Sequence, residues 1–229
     1  MKRFGKILML GICIGIVSVF IQNTFHIEKT TFLRSYWMIG IAVVFLAVLF
    51  NIGYNLVYLK KMNSAMQLLE SCRPQEYVQT MERLLQKAKG KGLQKVLLLN
   101  LTAGYCDLKE YEKALEILEN MSRTKLKGGL ELVHHINLCI CYFYTGQIEK
   151  AMALYEKPKE GFPAYIKYPD AFTQYFFSLD ILAAIAATDF TKAQELLKQA
   201  EEAWHNPRSQ KLYAEMRNGL PELKKEILG

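Results

Sequence analysis

Ser35 to Leu59 is a run of 25 residues without an Asp, Glu, Lys or Arg, and it limits what the chain can become more than any other stretch. Thirteen residues between Met38 and Leu59 are Leu, Ile, Val or Phe. At about −0.3 to −0.6 kcal/mol each, they favour bilayer insertion by roughly 4 to 8 kcal/mol, and about 20 residues suffice to cross the hydrocarbon. Tyr36, Trp37, Tyr54 and Tyr58 stand near the ends of the run, where aromatic rings suit the membrane interface. The pattern predicts a transmembrane helix over about 36–59.

A second apolar segment precedes it. Ile7 to Ile27 is free of the same charged residues and follows the basic start Lys2, Arg3 and Lys6. A cleaved signal peptide begins in the same way, but SVFIQNTF offers no small-x-small cleavage site. Ile12 is too large to precede a lipid-modified Cys13. The expectation is a retained helix over about 5–24, which pairs with 36–59 as a transmembrane hairpin within residues 1–61. Lys60 and Lys61 follow the second helix, whereas Lys29 and Arg34 are expected in the loop between the two. The outer flanks are the more basic, which predicts a multi-pass protein with both termini in the cytoplasm. Gly11 and Gly15 form a GxxxG pair, and Asn51 and Asn55 lie one helical turn apart. Small residues permit close helix approach, and amides in lipid seek partners. Packing within one hairpin is the simpler use of these four residues, and dimerisation is the other.

The net charge of +7 raises nucleic acid as a partner, but its distribution does not sustain it. Residues 1–59 hold five Lys or Arg and one Glu, so most of the excess flanks the apolar segments. No basic face interleaved with aromatics follows, and no nucleic-acid partner is expected. The five cysteines are odd in number and their spacing outlines no disulfide framework. Free thiols at core positions suit a reducing compartment.

Residues 62–229 carry a helical period. Within Leu93 to Met121, Leu98, Leu101, Tyr105 and Leu108 recur at steps of three or four, the period of one buried helix face. A short polar turn, Asp107 to Glu110, leads to a second run with Tyr111, Ala114, Leu115 and Leu118 on its inner side. So short a connection makes the two helices antiparallel. Leu98, Leu101, Tyr105, Tyr111, Ala114 and Leu118 resemble the tetratricopeptide repeat, with Thr102 and Lys109 in place of the usual glycines. His135, Leu138, Cys139, Tyr142, Gly146, Ile148, Ala151 and Tyr155 fill the same slots 37 positions later, and Phe190, Ala193 and Leu197 do so after a further 42. Tyr77, Thr80 and Leu84 fit an earlier copy, placing Thr80 and Ala114 at the family's spacing of 34. The fold expected is all-α: a membrane hairpin, then a solenoid of three to four helix pairs with a C-terminal capping helix.

The connections are uneven. Met62 to Leu69 reads as a continuation of the membrane helix. Lys87, Lys89, Lys91 and Lys95 form a basic turn around Gly90 and Gly92, and Arg123 to Gly129 forms another. Such turns could contact anionic lipid headgroups, although a solvated loop explains them more simply. Lys157 to Asp170 combines three prolines with Phe162, Tyr165 and Tyr168, so it either folds back on the repeats or offers aromatics to a partner. Arg208 to Leu228 reads as the closing helix, with Pro221 starting its final turns.

Catalytic signatures are missing from the sequence: there is no HExxH, CxxC, GxGxxG or GxSxG. His135 and Cys139 could supply half of a zinc site, but they occupy repeat-packing positions and lack further ligands. No metal or cofactor is expected, and the chain does not read as an enzyme. The family resemblance implies a concave groove lined by the first helix of each repeat, here Leu99, Ala103, Ile136, Ile140, Phe143 and Tyr144. These mostly apolar positions lack the basic clamp used for peptide carboxylates, so the groove either takes an apolar peptide or helix or is filled by the chain itself, with the proline-aromatic connection as the candidate. The expected function is a membrane-anchored scaffold for a protein partner. A structural subunit of a membrane complex and an enzyme with an unrecognised site are the alternatives.

Overall fold

The computed structural model of the chain describes residues 14–24, 28–123 and 125–228. The described residues are helical with connecting turns, and no strand occurs among them. They fall into two compact units, Met1–Val57 and Tyr58–Gly229, placing the boundary slightly before the expected residue 61.

The first unit contains α1 (Ile14–Thr24) and the greater part of α2 (Lys29–Glu70). Among the described residues, one helix is long and apolar enough to cross a membrane, and its most apolar window is nowhere buried. Phe50 is 79% exposed and Ile39, Ile41 and Val44 are each above 60%, as expected of side chains made for lipid. Lys29 and Arg34, expected in a loop, lie inside α2. Nothing in that stretch stops a helix, since neither Pro nor Gly occurs between Ile27 and Gly40.

The second unit begins with the end of α2. Tyr58, Met62, Ala65 and Leu69 recur on one face there and are buried. The chain continues as α3 (Pro74–Lys87), α4 (Lys91–Asp107), α5 (Tyr111–Ser122), α6 (Gly129–Tyr144) and α7 (Ile148–Tyr155). A short 3-10 turn (Lys159–Gly161) precedes α8 (Pro163–Lys167), α9 (Pro169–Ala186), α10 (Phe190–Ala203) and α11 (Pro207–Leu228). Successive helices pack as neighbours from α3 to α7 and again from α9 to α11, while α4 touches α6 and α6 touches α9. Pro74, Pro163 and Pro169 open their helices at the first turn, where a missing N–H costs nothing. Pro221 instead lies inside α11, which runs on to Leu228 rather than restarting there.

One turn geometry recurs four times. Cys72, Lys109, Gly146 and Thr188 have φ of 56°, 61°, 71° and 60°, at intervals of 37, 37 and 42 residues. At each, the residue after the turn bonds back to a carbonyl five positions earlier: Arg73 to Leu68, Glu110 to Tyr105, Gln147 to Tyr142 and Asp189 to Ala184. This is the Schellman ending, in which a left-handed residue satisfies the last helical carbonyls. Side-chain contacts repeat with it. Tyr105 donates to Glu82 at 2.7 Å and Tyr142 to Glu119 at 2.9 Å, while Lys113 and Lys150 lie over the respective rings.

The turns correct the register of the first copy. Tyr77, not Thr80, matches Ala114, Ala151 and Ala193, since each donates its amide to the last carbonyl of its turn, and all four are 0% exposed. The interval is therefore 37 rather than 34. A tyrosine fits this small-residue slot because Gly104 faces it across the helix crossing. A Cβ at Gly104 would lie 2.6 Å from the Tyr77 ring. The Tyr77 hydroxyl then reaches the Asn100 carbonyl at 2.8 Å.

The proline-rich connection folds back. Phe162 packs on the His135 ring at 4.8 Å, and Tyr165 meets Phe176 edge-on at 5.2 Å, while Ile166 and Tyr168 remain exposed.

Candidate functional site

The first helices of successive pairs define a cavity of about 440 Å³ inside the second unit. Leu99 and Ala103 of α4, Ile136 and Ile140 of α6 and Leu182 of α9 form its apolar side. Leu99 and Ala103, like Ile136 and Ile140, share one face of their helix because they lie four residues apart. Tyr144 lines the cavity beside Tyr111, and the two rings stack at 4.3 Å with 2° between their planes. Burial pushes the ionisation of both phenols far above the ordinary range; Tyr144 and Cys106 raise Tyr111 further and Cys106 raises Tyr144, whereas the hydrogen bond between the two phenols opposes the rise at Tyr144. Five of the six expected groove residues thus meet at one cavity. Phe143 does not: it is buried, but it is not among the residues that line the space.

Sequence reading overlooked the opposite wall. Arg208, Leu212 and Met216 recur every fourth residue on α11 and face the cavity. Arg208 makes a two-pronged ion pair with Asp107, at 2.7 and 2.8 Å, across 101 residues of sequence. Burial alone would lower the Arg208 pKa, but the hydrogen bonds and charge of Asp107 outweigh it and raise the value. Lys109 adds a more exposed pair with Glu215 at 3.0 Å. The cavity is therefore lined by apolar side chains of α4, α6, α9 and α11, by uncharged polar groups such as Asn137 and Gln174, and by paired charges at the turn between α4 and α5. The four-residue stripe on α11 was present in the sequence, but only the fold indicates which helix faces it.

Two cysteines adjoin this site. Cys106 lines the cavity, and its sulfur lies 3.6 Å from that of the fully buried Cys141 on α6. That contact and burial push the Cys106 thiol well above its ordinary value. His135 and Cys139 serve packing. Burial, with Lys157 nearby, lowers the His135 pKa to about 4, so the ring is neutral against Phe162. Cys139 donates to the Ala151 carbonyl at 3.4 Å. No group of three or more His, Cys, Asp or Glu that could hold a metal occurs among the described residues.

In the first unit, Asn55 donates its amide to both the carbonyl and the side-chain oxygen of Asn51, at 2.8 and 2.9 Å. The two amides therefore answer one another along α2. A Cβ added at Gly15 would meet no atom within 4 Å. Gly11 lies outside the described residues. Gly90 and Gly128, in the two basic turns, take positive φ immediately before α4 and α6.

No protein-family model, curated protein or solved structure matches the chain.

Proposed function

We propose that this protein is a membrane-anchored helical scaffold of the tetratricopeptide-repeat kind, which binds another protein at the cavity between α4, α6, α9 and α11. The observation that carries the reading is the convergence of Leu99, Ala103, Ile136, Ile140 and Tyr144 on one space. The Schellman turns at Cys72, Lys109, Gly146 and Thr188 support the repeat assignment, since each closes a first helix at the same point of its unit. The exposed apolar length of α2 supports the anchor. The helix expected over about 5–24, of which only 14–24 lie among the described residues, supplies the other arm of the proposed transmembrane hairpin, and the basic outer flanks orient the repeat domain to the cytoplasm.

A photo-crosslinking residue at Ala103, used in intact membranes with mass-spectrometric identification, tests the proposal. The expected result is a crosslinked protein that disappears when Ile140→Asp places a charge in the apolar wall. An identical crosslink pattern with and without Ile140→Asp would reject the cavity as the binding surface.

A further inference from the structure

The two sides of α11 are held in different ways. Towards α9 and α10 the attachment is extensive: Gln174 of α9 donates to the hydroxyls of Ser209 and Tyr213, Gln210 donates to the carbonyls of Glu201 and Trp204 at 3.0 and 2.7 Å, Arg217 pairs with Glu201, and Tyr213 is fully buried beside Trp204. Towards the α4–α5 turn the attachment is two ion pairs, Arg208 to Asp107 and Glu215 to Lys109. Between these pairs, Leu212 and Met216 lie over the cavity without filling it. The helix is thus firmly mounted on one edge and fastened by charges on the other.

Building on the scaffold reading above, we infer that α11 is a resident stand-in for the partner: the cavity receives an amphipathic helix with a basic residue followed by apolar residues at the fourth and eighth positions, and α11 swings off Asp107 to admit it. The chemistry follows from what opening leaves behind. Asp107 is only 21% exposed and loses its guanidinium when α11 moves. A partly buried carboxylate left alone is costly, so the entering ligand must return a cation to it. Arginine suits that role best because its fork matches both carboxylate oxygens. Arg208, once released, turns to solvent, while Leu99, Ala103, Ile136 and Ile140 lie open to apolar side chains spaced one turn apart. The opening keeps the contacts to α9 and α10, so the helix turns on its mount and need not unfold.

The test uses the full-length protein in detergent and a fluorescent peptide copying residues 207–220 as the probe. Wild-type protein should bind the peptide poorly because its own α11 competes. Glu215→Lys, which sets two lysines against each other at the exposed fastening, should bind at least about tenfold tighter, a shift of about 1.4 kcal/mol. Arg208→Ala should behave likewise. Adding Asp107→Asn to Glu215→Lys should remove the gain, as should replacing the peptide arginine that copies Arg208 by alanine. Equal peptide binding by wild type and both opened variants overturns the inference, provided circular dichroism shows them folded. Tighter binding that ignores Asp107→Asn overturns it too. These outcomes are separable from the scaffold reading: loss of the Ala103 crosslink in the Ile140→Asp protein is decided without reference to α11.

Discussion

Three sites test the core most directly. Gly104 leaves the Tyr77 ring no room for a methyl group. Gly104→Ala should therefore destabilise the second unit by about 1–3 kcal/mol, the usual range for overpacking. The cost should shrink in a Tyr77→Ala background, and a double-mutant cycle by chemical denaturation that finds strict additivity would contradict the packing described. His135 predicts a pH dependence. Its pKa is lowered from 6.5 to about 4, so between those values the unfolded chain holds the proton more tightly than the folded one. Its contribution is complete above pH 6.5 and is lost as pH falls towards 4. Denaturation midpoints should drop across that window, and His135→Asn should flatten this part of the profile. Cys106 and Cys141 give a proximity test. A thiol oxidant that accepts two hydrogens, such as a diazene dicarboxamide, should join them, and Cys141→Ser should abolish the product in peptide mass mapping. A preference for Cys72 would contradict the 3.6 Å contact.

The turns that close the first helices give predictions at the scale of the element. Lys109 and Gly146 occupy equivalent left-handed positions, but only glycine takes that conformation without strain. Gly146→Ala should cost about 1 kcal/mol, and Lys109→Gly should recover a similar amount, less the small contribution of an exposed ion pair. Opposite signs in thermal melts are the expected outcome, and equal effects would dissociate the two turns. Sequence already matched Lys109 with Gly146. It misaligned the first copy by three residues, because Tyr77 stands where a small side chain is usual. The compensating glycine is 27 residues away on another helix. Likewise Lys29 and Arg34 looked like loop residues by charge alone, yet charged residues enter a helix freely where neither Pro nor Gly breaks it.

At the scale of the molecule, the anchor and its orientation are one proposal with one measurement. The protein should stay in the pellet on alkaline carbonate extraction, and residues 62–229 should be protected from external protease in spheroplasts but cleaved in inverted vesicles. Release by carbonate would remove the membrane anchor, and the reverse protection would turn the repeat domain to the other side.

What could be known from sequence alone was set by period and composition. A 25-residue run without charge dictates an exposed apolar helix, and three- and four-residue steps dictate the helices behind it, because both follow from local geometry and transfer energy. The inner face of those helices was legible for the same reason, with Phe143 misplaced because a helix with apolar residues on several sides does not declare which one faces a cavity. The tertiary structure alone decided that α11 closes the space. Arg208 and Asp107 are 101 residues apart, and no periodicity within either helix encodes their meeting. It follows from the accumulated packing of every helix between them.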